Sequence, residues 1–285
     1  MLNKFMQRIT ASELIEAYDV FLIDAFGVLL DESSTFLHSQ SFLSEIIRRG
    51  KQFRIITNGA AQNTQKTALN YFKKGLVVDP ALIINSGGLL SSYREQNVGI
   101  SPIAYIVGDH NAKELAEECG FQCLSETQID QANTIIVMDE GNVELSPCVA
   151  RVISTLYRKL DRRIPVSLLC PNPDYLYPKS KDNFGITAGC VAHMIEGALQ
   201  LRYGTQAPSF VRLGKPNHFI YDVAKKSFAD DARIVALGDQ LQTDILGANE
   251  NNIASCLLLT GMGNEQQIQN SCIKPKYLMS DLALR

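Results

Sequence analysis

With 285 residues and 46% apolar side chains, the chain is long enough to bury a sizeable core, as one large domain or two smaller ones. Its formal charge of −3, with Lys and Arg scattered, supplies no basic stripe for nucleic acid or an anionic membrane surface. No apolar run reaches the ~18 residues of a spanning helix, and the opening "MLNKFMQRITASELIEAYD" lacks the continuous apolar stretch of a signal peptide. These features predict a cytoplasmic protein with a small-molecule partner; a homodimer is compatible with them. The seven Cys include no CxxC pair, so they read as reduced core fillers rather than disulfides or zinc ligands.

In chain order, short aliphatic runs alternate with longer amphipathic ones. Strands are predicted at "DVFLI" (19–23), "FRII" (53–56) and "ALII" (81–84), with helices at 36–49 and 61–74 between them. A second set follows: "IAYIV" (103–107), a helix near 111–119, "TIIVM" (134–138), a helix near 147–160, and "PVSLL" (165–169). The flanks of this set, "NSGG" at 85–88 and "KSKDNFG" at 179–185, are rich in turn residues. The remainder predicts a helix at 187–201, strands "FVRL" (210–213), "RIVAL" (233–237) and "ASCLLL" (254–259), and helices at 217–228 and 241–251. The pattern predicts an α/β fold: a Rossmann-like, doubly wound parallel sheet core carrying an inserted smaller α/β cap domain. The expected boundaries are 1–86 for the first part of the core, 87–185 for the insertion and 186–285 for the rest of the core.

In an open parallel sheet the ligand crevice lies beyond the carboxyl ends of the strands, so polar residues just after strands share one rim. Four predicted strands end in chemically capable groups. "FLID" ends at Asp24, "RIITN" at Thr57 and Asn58, "VRLGK" at Lys215, and "VALGDQLQTD" at Asp239 and Asp244. Each has an ordinary reading as a turn, cap or solvated loop residue. Their conjunction decides otherwise, because independent turn residues have no reason to follow buried strands in this order. Together they offer a carboxylate nucleophile, a hydroxyl and amide for an oxyanion, an ammonium, and two further carboxylates suited to a metal.

This order of motifs resembles the haloacid dehalogenase superfamily of phosphohydrolases. "GDQLQTDILGA" (238–248), with an insertion between the second and third motifs, is similar to the class IIA branch of N-acetylglucosamine-phosphate and nitrophenyl-phosphate phosphatases. "ITNGAAQNT" (56–64), "IINSGG" (83–88), "PNPDYLYP" (171–178) and "LGKPNHFIYDVA" (213–224) extend the resemblance over nearly the whole chain. It implies a Mg²⁺-dependent phosphatase of small, sugar phosphate-like metabolites. Asp24 would be the nucleophile that forms an aspartyl-phosphate. Asp24, the backbone carbonyl of Phe26, Asp239 and Asp244 would ligate the metal, while Thr57, Asn58 and Lys215 would hold the phosphoryl group and Lys215 would keep Asp24 ionised. The insertion would close as a cap, with Asn172 and Asp174 of "CPNPDYLYP" facing the leaving group; the alternative is a proline-set turn with both side chains bonded locally.

One residue departs from the pattern. Two positions after Asp24, within "YDVFLIDAFGVLLDES", these phosphatases carry an Asp that acts as general acid and base, and this chain carries Phe26. Losing such a group costs ~10² to 10⁴ in rate. Asp31 is the nearest downstream acid and reads as a loop residue. The departure leaves two further readings, a non-catalytic protein that binds a phosphorylated ligand and a metal-independent haloacid dehalogenase.

Overall fold

The computed structural model describes residues 6–140, 144–180 and 183–285. Positions 181 and 182 of the turn-rich flank expected at 179–185, and positions 1–5 of the opening segment, lie outside the described residues. The chain forms two compact units: one contains the chain up to Thr57, Thr64–Ile84 and Lys215–Arg285, the other Asn58–Asn63 and Asn85–Gly214.

The first unit is built on a sheet of seven strands among the described residues. Their order is Gln7–Arg8, Tyr277–Met279, Ala254–Leu258, Ile234–Gly238, Val20–Ile23, Gln52–Thr57 and Ile83–Asn85. The pairs from Gln7–Arg8 through Gln52–Thr57 are all parallel. Val20–Ile23 is buried at every position, as expected of a central strand with both faces covered. Phe21 and Ile23 pack with Ile15, Phe42 and Ile46 of the helices Ala11–Ala17 and Ser39–Arg48. The first of these helices starts where Thr10 and Glu13 form a reciprocal capping box. Leu241, Ile245, Leu257, Ile268 and Leu278 form a separate cluster of the same unit.

The second unit carries its own parallel sheet, ordered Val211–Arg212, Ser167–Cys170, Thr134–Val137, Ile103–Val107 and Gln122–Cys123. Leu176–Ser180 and Asn183–Ile186 form an antiparallel hairpin. The short segment 58–63 joins this unit because Ser86 Oγ donates to Asn58 O at 2.7 Å and Asn85 Nδ2 to Gln62 O at 2.6 Å.

Two segments fall differently from expectation. The second unit runs to Gly214 where the insertion was expected to end at 185, and it is the smaller of the two, as expected. The helix expected at 187–201 exists as Ala188–Tyr203, yet its Val191, Ala192, Ile195 and Leu199 pack with Val152, Leu156 and Leu168 of the second unit. Likewise "FVRL" supplies Val211–Arg212 to the edge of the second sheet, not to the first. Both segments are apolar enough to line either core, so their pattern fixes burial without fixing the partner.

Candidate active site

Sheet register decides which loop residues meet. Ile23 lies opposite Leu237 on one side and Ile55 on the other, and Gly238 lies opposite Leu257. Asp24, Thr57, Asp239 and the segment 259–263 therefore leave the sheet along one edge, at the carboxyl ends of parallel strands. The Asp24 N–H continues the ladder by donating to Leu237 O at 2.9 Å. Asp244 reaches the same point from a single π-helical turn, Leu241–Ile245, a local widening frequent at functional sites. That turn also lets the Gln240 N–H donate to Asp244 Oδ2 at 3.1 Å.

The result is a buried cluster of three carboxylates and one ammonium. Lys215 Nζ lies 2.7 Å from Asp24 Oδ1 and 2.6 Å from Asp244 Oδ1. Asp24, Lys215, Asp239 and Asp244 are each less than 10% exposed. Burial pulls the Lys215 ammonium down, but Asp24 and then Asp244 more than offset it and hold its pKa well above the ordinary value. Burial also pushes the Asp24 carboxyl well above its ordinary value, against the pull of Lys215, and Asp244 and Asp239 add to the rise. Burial first, and then the charge of Asp244, push Asp239 up to about 7.

One ammonium does not balance three carboxylates, and the geometry points to what does. One oxygen from each of Asp24, Asp239 and Asp244 lies within 4.8 Å of the others. Asp239 Oδ2 accepts from Met262 N at 2.7 Å, whereas the buried Asp239 Oδ1 has no hydrogen-bond partner among the described residues. A buried, unpaired carboxylate oxygen is costly, and an all-oxygen donor set suits a hard divalent cation such as Mg²⁺. The residues fit the ion. Gly27, at φ +82°, and Gly261 close around Asp239, and a Cβ at either would run into its carboxylate.

A pH-dependent result follows from the upward shifts. Without a divalent ion Asp24 and Asp239 bind more protons in the folded chain than in the unfolded chain between the ordinary carboxylate range and about 7. The contribution of these groups to stability therefore falls as pH rises through that window. Added Mg²⁺ counters the ionised carboxylates, so the rise in Tm on adding Mg²⁺, followed by thermal unfolding, is expected to be larger at about pH 7.5 than at about pH 5. Equal shifts at both values would contradict the assignment of the cluster to the ion.

Sequence-expected residues distribute as follows. Asp24, Thr57, Lys215, Asp239 and Asp244 all belong to the first unit. Thr57 is buried and shares a side-chain hydrogen bond with Tyr71. Asn58 belongs to the second unit, where its amide donates to Asp174 Oδ1 at 2.8 Å. Asn172 Oδ1 accepts from Asp174 N at 3.0 Å, and Asp174 O accepts from Gly189 N at 3.0 Å and from Thr187 Oγ1. The Asn172 side chain is thus bonded locally, as in the alternative expected for this turn, whereas the Asp174 carboxylate accepts from Asn58, distant in sequence. Two features escaped sequence reasoning. Thr260–Gly263 packs against the site through Thr260 Oγ1, which donates to Gly27 O at 2.5 Å, and through the Met262 N–H; "TGMG" directly after a strand is the signal. Tyr71 sits in the last turn of the helix Thr64–Lys73, and only folding brings its ring edge-on to Phe26, 6.3 Å between centroids.

Known proteins resemble this chain in sequence and in fold. The haloacid dehalogenase-like hydrolase model matches residues 21–122, and a HAD-hydrolase-like model matches residues 212–284. Mouse (Mus musculus) glycerol-3-phosphate phosphatase is 26% identical over 302 residues, covering 95% of this chain and 89% of that protein. A solved structure described as a possible sugar phosphatase, from Cytophaga hutchinsonii, superposes with a TM-score of 0.82 at 25% identity, covering 98% of this chain and 99% of its own. The 4-nitrophenylphosphatase of Thermotoga maritima gives 0.79 at 21% identity, covering 94% and 96%. The chain belongs to the haloacid dehalogenase-like hydrolases.

Proposed function

We propose that the chain is a Mg²⁺-dependent phosphoric monoester hydrolase of small phosphorylated metabolites, with Asp24 as nucleophile. One observation carries the reading: Asp24 is held against the Lys215 ammonium within a carboxylate cluster whose Asp239 Oδ1 has no donor among the described residues. Relatives named glycerol-3-phosphate phosphatase, dihydroxyacetone phosphatase and acid sugar phosphatase support the substrate class.

In this reading an Asp24 oxygen attacks phosphorus, the bond from phosphorus to the leaving oxygen breaks, and an aspartyl-phosphate forms. Water then attacks phosphorus and the electron pair returns to the carboxylate. Lys215 favours the ionised nucleophile against the effect of its burial and neutralises the phosphoryl oxygens, which the Thr57 hydroxyl also binds, with Asn58 in support. Asp24, Asp239, Asp244 and the carbonyl of Phe26 would hold Mg²⁺, which when bound would offset the repulsion between an anionic nucleophile and a phosphate dianion. Because the contribution of position 26 is main chain, its aromatic side chain leaves the metal set intact. Specificity contacts from Asn172 and Asp174 belong to the same reading.

The test is turnover of p-nitrophenyl phosphate with Mg²⁺ and with EDTA. Hydrolysis that depends on the metal is expected. Tight binding of phosphate esters without turnover would instead make the chain a phospho-ligand-binding protein, and metal-free halide release from a haloacid would make it a dehalogenase.

A further inference from the structure

Expelling an alkoxide from phosphorus needs a proton, because a bare alkoxide is a poor leaving group, whereas a phenolate, enolate or carboxylate departs unaided. The groups around Asp24 can therefore be asked which of them has a proton to give. Phe26 has none. Its ring is not a loose side chain: Tyr71 meets it edge-on at 6.3 Å and 71°, and Lys74 Nζ lies 5.5 Å from its centroid. Lys74 is tied in turn to the loop after Phe26, donating to Asp31 O at 3.1 Å and to Glu32 O. The ring is a fixed wall, 37% exposed.

The neighbouring acids and hydroxyls are engaged elsewhere. Asp31 Oδ1 accepts from Ser33 N at 2.7 Å, Ser33 Oγ at 2.7 Å and Ser34 N at 2.8 Å, so its carboxylate closes its own turn as an acceptor. The Ser33 hydroxyl, with the Ser34 and Ser33 amides, also holds it below the usual carboxylate range, ionised at neutral pH. The Tyr71 hydroxyl is bonded to Thr57. The Lys215 ammonium is bracketed by Asp24 and Asp244.

We infer that, among small phosphorylated metabolites, this site takes those whose leaving group departs as a stabilised anion, namely aryl, enol and acyl phosphates, in preference to alkyl phosphates. The inference rests on the hydrolase reading above. Asp24 Oδ forms a bond to phosphorus as the bond to the leaving oxygen breaks. That oxygen keeps the electron pair and leaves as RO⁻ or RCOO⁻ with no proton transferred. In the second step a water oxygen bonds to phosphorus, the pair of the Asp24–phosphorus bond returns to the carboxylate, and the water protons leave with the phosphate product. The intermediate is itself an acyl phosphate, so its breakdown likewise needs no acid.

The experiment is a leaving-group series at fixed Mg²⁺ and pH: p-nitrophenyl, phenyl and acetyl phosphates against glycerol 3-phosphate, each read as kcat/KM. A fall of ~10² to 10⁴ from the activated esters to the alkyl ester is expected. In Phe26→Asp the alkyl ester should gain most and the series flatten, and Phe26→Leu, which adds no proton donor, should keep the steep dependence. A series flat to within about threefold in the parent chain overturns the inference while leaving the hydrolase reading standing, as does flattening in Phe26→Leu. Silence on every ester, p-nitrophenyl phosphate included, overturns both.

Discussion

Asp24→Asn is expected to abolish phosphate-ester turnover, by on the order of 10⁴- to 10⁶-fold in kcat, without loosening the fold. The amide preserves the shape of the carboxylate and the N–H···O bond to Leu237, which belongs to the backbone. It removes a buried charge that its surroundings disfavour, since burial lifts the Asp24 carboxyl well above its ordinary value and Lys215 only partly opposes the rise. Activity and stability should therefore part company. The metal-free variant is expected to melt at the parent temperature or above it, while the phosphoryl adduct on the Asp24 peptide disappears from mass spectra of enzyme quenched during turnover. A variant retaining a tenth of parental kcat would show that another group attacks phosphorus.

Lys215→Met should be the most destabilising single change at the site. Lys215 is fully enclosed, 2.7 Å from one carboxylate and 2.6 Å from another. Met matches much of its length but leaves Asp24 and Asp244 without their counter-charge, and breaking a buried pair in this way costs about 3–5 kcal/mol. Without the ammonium the Asp24 and Asp239 carboxyls, already lifted by burial, are pushed up further, so the folded variant takes up protons that the unfolded chain does not. Its stability is therefore expected to recover as pH falls and to worsen as pH rises. Urea unfolding at about pH 5 and pH 8 measures this directly. A deficit under about 1 kcal/mol at the higher pH, or one unaffected by pH, would show that the ammonium is not what holds the carboxylates together. Turnover should drop as well, by roughly 10²- to 10³-fold, the usual loss for a donor aimed at developing negative charge.

Much of this site was legible in the chain itself, for a specific reason. The strands that carry it are continuous apolar runs such as "VFLI", buried at every position, and such runs announce a central parallel strand whatever surrounds it. Once those strands are placed, topology alone puts Asp24, Thr57 and Asp239 on one edge. Nothing in that deduction needs side-chain detail. The short edge strands Gln7–Arg8 and Tyr277–Met279 gave no such signal, because two or three residues carry no periodicity.

What the sequence by itself determined was the order of buried strands and the acids, hydroxyl and ammonium that end them. Tertiary structure alone decided which core claims an apolar segment: Ala188–Tyr203 and Val211–Arg212 joined the second sheet because Val152, Leu156 and Ser167–Cys170 offered complementary faces there. It also decided the surroundings of Phe26. Hydrophobic burial is read one residue at a time, but the edge-on contact with Tyr71, the cation of Lys74 and the glycine cradle of Asp239 join residues distant in sequence. Such contacts depend on packing geometry, which no local pattern encodes.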